Sequence, residues 1–453
     1  MVEPERIQPL NDAPCRDDGR YVLYWMQQSQ RAAHNPALEY AIRRANEHDV
    51  PTVVVFGLMD DYPEATERHY AFMLEGLAET ASRLEERGVG FVMRHGHPRD
   101  VALELYAEAV EVVCDRAYLR HLIEWREDVA SEAGRTVTQV EGDVVVPVDL
   151  ASGKAEHSAR TIRPRVNRHR ERFLRGLSET RVARSASSLE LRGDFDPRDV
   201  DGNLAAVSCI REVPRSRRFT GGTDAARANL TSFIRSNLQG YDDGRNEPAD
   251  DATSHLSPYL QYGQISPVEI ANKIRSAKSG SEEDVESFLE EMIVRRELSH
   301  NYCAHHPEYD QFSALPNWAQ TTLREHAGDE RSPTYTRRQL EAAKTDDRYW
   351  NAAQLEMVAT GYMHNYMRMY WGKKILEWSK TPKQAFETTL YLNNRYLLDG
   401  LNANSYGNVA WIFGQHDRAW TERPVFGKVR YMNANGLKRK FDIERYVDRI
   451  NDL

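Results

Sequence analysis

An α/β domain followed by an all-helical domain is the fold predicted by the sequence, and three observations carry that prediction. The chain has 453 residues, too many for one small domain and enough for two or three. Residues 20–150 alternate short β-branched runs with helical stretches, the rhythm of a parallel, doubly wound, Rossmann-like sheet. From about residue 224 such runs nearly vanish and amphipathic helical periodicity dominates.

In chain order, residues 1–19 are a polar extension. The strand candidates of the 20–150 domain are YVLYWM (21–26), TVVVFG (52–57), GFVMRH (90–95), AVEVVCD (109–115) and TVTQV (136–140). Gln27-Gln28-Ser29-Gln30 follows the first of them where GxGxxG would be expected, so the usual dinucleotide fingerprint is missing and any cofactor there is held in another way. Residues 151–223 form a connector: residues 151–220 hold 16 Lys or Arg against 9 Asp or Glu, a basic excess that fits a solvated linker first and a DNA-facing surface second. Residues 224–453 are the helical domain, with helices expected over 225–239, 267–277, 284–302, 351–378 and 382–398, and six of the eight tryptophans.

Hydrophobic residues make up 40% and charged residues 28%, which excludes disordered, collagenous and mucin-like classes. A net charge of −9 gives no global pull toward nucleic acid, so a nucleic-acid surface would have to be a local patch. The cysteines (Cys15, Cys114, Cys209, Cys303) are far apart with no CxxC pair, so no metal site or disulfide framework is indicated. With a polar N-terminus and no run of 18 apolar residues, a cytoplasmic, unexported protein is expected.

Three stretches could carry chemistry. In residues 350–378, Trp350, Met357, His364, Trp371 and Trp378 recur every seven residues. On its own this reads as a core stripe; a turn at Gly361 would instead fold Trp350 back beside Trp371 and Trp378 as a cluster of indoles able to pass electrons. In residues 241–266, Thr253, Ser254 and Ser257 precede a helix that Pro258 would start, which makes either a phosphate site or simple capping. In residues 391–411, Asn393, Arg395 and Asp399 precede a glycine-containing loop ending at Trp411.

Taken together, LSPYLQYGQIS, FLEEMIVRRELSHNYC, WNAAQLEM, MHNYMRMYWGKKILEW, LNNRYLLDG and HDRAW resemble, in order and over nearly the whole chain, the class II cyclobutane pyrimidine dimer photolyases of the photolyase/cryptochrome family. The resemblance implies light-driven, redox-neutral splitting of cyclobutane pyrimidine dimers: excited FADH⁻ lends an electron to a dimer flipped out of the duplex and takes it back. It implies an FAD held in the helical domain by Tyr241, Thr253, Ser254, His255, Leu256 and Ser257, with Arg368 and Asp399 as an ion pair beside the flavin ring and Asn393 facing N5. Trp350, Trp371 and Trp378 take the electron-transfer positions. Glu291, with Glu297 as fallback, would be a protonated pocket acid donating to a dimer carbonyl. Arg245, Asn246, Met369 and Trp411 would line the lesion pocket, while Arg418, Lys428 and Arg430, together with Lys438, Arg439 and Lys440, would hold DNA phosphates. A deazaflavin-type antenna chromophore in the α/β domain is a further family expectation, with no residue named for it, and a monomer is expected. A cryptochrome-type blue-light receptor without repair is the alternative, and a flavin oxidoreductase acting on a small molecule a third reading. The sequence departs from the family pattern where relatives read GKMHGYMRMYW, since it has Tyr362 and Asn365, and where they read DGRDPN, since it has Asn402 in place of an acid.

Overall fold

A computed structural model describes residues 1–453. Six strands, β1 (Ile7–Pro9), β2 (Tyr21–Trp25), β3 (Thr52–Leu58), β4 (Gly90–His95), β5 (Ala109–Asp115) and β6 (Val137–Val140), form one sheet in the order β1-β6-β5-β2-β3-β4. Five of them are parallel and match the β-branched runs. Residues of β2, β3 and β5 are buried throughout, because helices cover both faces and leave no polar side for alternation. The sixth strand was not legible. Ile7–Pro9 pairs antiparallel with β6, so part of the polar N-terminal stretch closes the sheet edge. It is pinned by the buried Arg6, which donates to the carbonyls of Glu141, Val144 and Val145 at 3.1, 3.0 and 2.7 Å.

β2 lies between β5 and β3, so the crossovers leave it in opposite directions and a crevice opens beyond its C-terminal end. Asp115, at the end of β5, shapes that crevice by accepting the backbone N–H groups of Gln27, Gln28 and Ser29 at 2.9, 2.9 and 3.0 Å. The connector carries a helix, Ala159–Phe173, that buries Ile162, Val166 and Phe173 and turns its arginines outward. Two of those arginines meet acids of the helical domain, Arg163 with Glu290 at 2.7 Å and Arg170 with Glu286 at 3.1 Å.

In the helical domain the Arg348–Thr360 helix stops at Gly361, whose φ of 80° is a left-handed cap that a Cβ would strain, and the Asn365–Trp378 helix then runs back alongside it. Another long helix is continuous from Glu282 to His305 but changes pitch midway: Glu290–Arg295 is a π-helical segment in which the Arg296 N–H reaches the Glu291 carbonyl, five residues back.

The two domains are latched by buried charge. Arg68, on the Glu67–Glu86 helix of the α/β domain, donates to Met357 O at 3.1 Å, Tyr396 O at 2.7 Å, Val358 O at 2.6 Å and Pro214 O at 3.2 Å. Met357, Val358 and Tyr396 close the Arg348–Thr360 and Pro382–Tyr396 helices, so one cation serves two negative helix ends. On the other side, the Asp143 carboxylate pairs with Arg296 and accepts from His300 Nε2 at 3.0 Å.

Candidate active site

The Asn365–Trp378 helix is the hub of the site, because its polar side chains reach in three directions. At its N-cap, His364 lies 3.1 Å from the Arg245 carbonyl oxygen, and Arg245 in turn pairs with Glu291 at 3.0 Å. One turn on, Arg368 meets Asp399 at 3.1 Å, the expected ion pair formed between two largely buried side chains. Further along, Lys373 is fully buried, donates to the carbonyl of Ile412 and stands 5.4 Å from the centre of the Trp411 ring. Burial pushes the Lys373 ammonium down to about 7.

The indoles gather as the turn at Gly361 requires. Trp350 stacks on Trp371 with ring centres 6.4 Å apart and planes 9° from parallel, and meets Trp378 edge-on at 5.5 Å. Trp350 touches both and is therefore the middle member. Its Nε1–H donates to Trp371 O at 2.9 Å, and Trp371 Nε1–H donates to Gln354 Oε1 at 2.8 Å, which fixes both rings. Tyr335 lies against Trp378 at 5.1 Å, a neighbour that sequence spacing could not reveal.

Asn393 is buried, and its Nδ2 donates to Ser405 Oγ at 2.9 Å while its Oδ1 has no partner. Arg368 Nε is likewise buried and unpartnered. A buried acceptor and a buried donor without partners are free to bond a ligand there. Thr253 Oγ1 lies 2.9 Å from the Tyr362 hydroxyl, and His255, at a positive φ of 52°, faces Asp251 at 3.1 Å and Arg218 at 3.1 Å. Ser257 and Pro258 open the short Ser257–Gln261 helix, Ser254 is half-buried beside it, and Leu256 is buried in the core, so its backbone is what it can offer a ligand. Asn402 accepts the Ser405 N–H at 3.0 Å and caps the Ala403–Ile412 helix, which explains how Asn serves where relatives carry an acid.

Tyr241 packs against Phe233 and Phe288 on a turn held by Asp284. The Asp284 carboxylate accepts the N–H groups of Asp242 and Gly240 at 3.0 Å each and of Ser281 at 2.9 Å, and these bonds bring it from 3.8 down to about 2. A carboxyl whose folded value is depressed stabilises fully above its ordinary value and loses that contribution as pH falls toward the folded one. Thermal stability should therefore drop between pH 4 and pH 2. Asp284→Asn should cost about 1–2 kcal/mol at neutral pH and flatten that part of the pH profile; an unchanged profile would show that the turn is held otherwise.

One reading of the pocket acid changes, the fallback. Glu297 is buried at the domain junction, where it accepts the N–H groups of Val145 and Val146 at 2.5 and 3.3 Å, and burial pushes it up to about 8; it faces the α/β domain and not the pocket. Glu291, the first choice, pairs with Arg245 at 3.0 Å. Arg245 keeps a buried, unpartnered Nε–H, so the guanidinium is the group with a donor to spare. Asn246 sits next to it, with Nδ2 3.4 Å from Asp242 O. Met369 is half-buried on the hub helix.

Beyond Trp411, cations and indoles alternate. Arg430 lies 5.3 Å from the Trp411 ring and 4.3 Å from Trp420, and Arg418 lies 4.9 Å from Trp420. Trp420 is 36% exposed, a large indole held at the surface between two arginines, which its isolated place in HDRAW did not signal. Arg418 and Lys428 are exposed close by, the Trp420 N–H donating to Lys428 O at 2.8 Å. Lys438 and Lys440 lean on Tyr349 and Tyr366 at 5.6 and 4.5 Å, and Arg439 is exposed between them. Elsewhere Cys15, His48 and Glu111 come together, but Arg44 lies among them, 2.5 Å from Glu111 and 3.0 Å from His48, taking the place a metal would need.

A sequence model described as DNA photolyase matches residues 22–184. The chain is 46% identical over 453 residues to the deoxyribodipyrimidine photo-lyase of Methanothermobacter thermautotrophicus, spanning 100% of this chain and 99% of that one. The chain belongs to the DNA photolyase family. Enzymes of the same name from Arabidopsis thaliana and Potorous tridactylus are 37% and 38% identical, covering 100% and 99% of this chain and 94% and 84% of theirs. In fold, the chain is similar to a bacterial class III photolyase from Agrobacterium tumefaciens (TM-score 0.74, 21% identity, 95% of this chain and 86% of that one). It is similar too to a Synechocystis cryptochrome (TM-score 0.74, 16% identity, 96% and 89%) and to an archaeal photolyase from Sulfolobus tokodaii described with two FAD molecules (TM-score 0.70, 18% identity, 94% and 89%). No helix is long and apolar enough to cross a membrane.

Proposed function

We propose that this chain repairs cyclobutane pyrimidine dimers in DNA with light, using an FAD held in the helical domain. The observation that carries this reading is the buried, unpartnered Oδ1 of Asn393 near the Arg368–Asp399 pair, in a chain that belongs to the photolyase family. Bound as FADH⁻, the flavin supplies the photoexcited electron and receives it back. Arg368 and Asp399 would lie beside its ring, Asn393 would offer an acceptor at N5, and the Tyr241 and Thr253–Ser257 segments would hold the phosphate and ribityl groups. Tyr362 supports Thr253 from behind, which gives the departure from the family motif a local role.

Arg245, paired with Glu291, would offer its free Nε–H to the lesion, where a fixed donor favours negative charge growing on a dimer carbonyl. Met369 borders the same pocket from the hub helix. Trp378, Trp350 and Trp371 form the path by which an oxidised flavin is reduced. Arg418, Lys428, Arg430 and Trp420 form the surface that meets the DNA backbone around the lesion.

The crevice beyond β2 fits an antenna chromophore with a planar heteroaromatic ring, of deazaflavin type. Its apolar walls include Phe56, Met59 and Trp125, while Gln27, Gln30 and Gln261 each bring at least one buried amide atom without a partner. Such amides read the donor and acceptor edge of a ring.

An absorption spectrum of the purified protein, followed by a blue-light assay on thymine-dimer DNA, tests the reading; no flavin bands, or flavin without light-dependent repair, would sink it. Trp411→Ala should weaken binding to damaged duplex by about 1–3 kcal/mol while sparing undamaged duplex, the worth of one indole stacked on a splayed base. Equal loss for both duplexes, measured by competition binding, would make Trp411 a general DNA or folding residue.

A further inference from the structure

Resting on the flavin reading above, we propose that Glu64, in the loop after β3, is a positioning residue that fixes which atom of the Asn393 carboxamide faces flavin N5. The oxygen and nitrogen of an amide are nearly equal in shape, so neighbouring donors and acceptors decide the orientation. Asn394 Nδ2 donates to Glu64 Oε2 at 2.7 Å. Burial raises the Glu64 carboxyl above its ordinary range while the Asn394 hydrogen bond draws it back; in its ionised form it only accepts, so Asn394 must offer it the NH₂ and turn its own Oδ1 the other way. There Oδ1 accepts from Asn393 Nδ2 at 3.3 Å. With Nδ2 also bonded to Ser405 Oγ at 2.9 Å, both Asn393 amide hydrogens are committed and the buried Oδ1 is left as the atom for a ligand.

Polarity is therefore handed along three side chains from a carboxylate on one domain to an acceptor on the other. Asn394, Asn393 and Ser405 can each donate or accept, and could reverse together. Two backbone groups touching the relay favour the same direction, the Leu401 N–H at Asn394 Oδ1 and the Asp399 carbonyl at Ser405 Oγ, but at 3.5 and 3.3 Å they are long. Glu64 makes the shortest contact of the relay, at 2.7 Å. Its backbone is held at a φ of 63°, an uncommon place for a glutamate. An acceptor at N5 favours the protonated nitrogen, while an amide donor there would favour the deprotonated one.

The test compares purified wild type, Glu64→Gln and Glu64→Asp for flavin content and for the absorption spectrum of the one-electron-reduced flavin across pH. Glutamine keeps the size but can present either end of its amide, so Asn394 and Asn393 gain freedom to flip. In Glu64→Gln the pH midpoint of N5 protonation should fall by about one unit, the worth of one net hydrogen bond. Glu64→Asp, still an acceptor, should stay nearer to wild type than Glu64→Gln. A Glu64→Gln midpoint equal to wild type, or a Glu64→Asp midpoint displaced as far as that of Glu64→Gln, would overturn the proposal. So would a Glu64→Gln protein that sheds flavin retained by Glu64→Asp, because Glu64 would then be a binding or folding residue. Wild type without flavin would instead remove the flavin reading itself.

Discussion

Trp350→Phe, Trp371→Phe and Trp378→Phe should each leave FAD bound, slow its photoreduction by about tenfold or more in the presence of an external reductant, and leave repair by the pre-reduced enzyme intact. Tenfold corresponds to ~1.4 kcal/mol of added barrier. The three rings form one contact chain, 6.4 Å from Trp371 to Trp350 and 5.5 Å from Trp350 to Trp378, with no second indole beside any gap. Repair is spared because it starts from reduced flavin, so the path is not used in that turnover. Time-resolved bleaching of oxidised flavin under blue light measures the first effect, and dimer loss after chemical reduction the second. Phenylalanine keeps much of the packing volume, so a collapse of flavin content would point to a core role. Normal photoreduction in all three variants would return the indoles to a simple hydrophobic stripe.

Arg68→Met should cost about 3–5 kcal/mol, because several buried carbonyls lose their donor at roughly 1–3 kcal/mol each before relaxation. That is a large part of the 5–15 kcal/mol typical of a folded protein. The loss falls on the ends of the Arg348–Thr360 and Pro382–Tyr396 helices, which carry Trp350 and Asn393. Release of flavin should therefore begin at lower temperature than in wild type, and chemical denaturation should show a lower midpoint. A variant that melts with wild-type behaviour would mean that water or neighbouring donors replace the guanidinium.

Much of this arrangement was legible because it follows from periodicity. The five parallel strands fall within a residue or two of the β-branched runs, since buried central strands need continuous apolar sequence. The break at Gly361 was readable because a glycine inside a helical pattern is a natural left-handed cap. What escaped has no periodic signal. β1 is three residues long and ends in Pro9, too short to alternate. The pairing of Arg245 with Glu291, and the latch of Glu297 on Val145 and Val146, depend on how distant segments meet. The amides of Gln27 and Gln261 become informative only when burial strips them of partners. Trp420 counts as one more tryptophan until its exposure is known.

The π-helical segment at Glu290–Arg295 places one surplus residue in the middle of a long helix, and the phase of everything after it depends on that surplus. Each residue of an α-helix turns the chain by about 100°. Were these same six residues wound as plain α-helix, with none removed, Arg296, Glu297 and His300 would swing round by about that angle, off Asp143 and off the N–H groups of Val145 and Val146. Glu291, upstream in the same segment, would keep its place beside Arg245. For this stretch, then, the winding matters as much as the residues: the widened turn lets one helix present Glu291 to Arg245 and still bring Arg296, Glu297 and His300 onto the α/β domain.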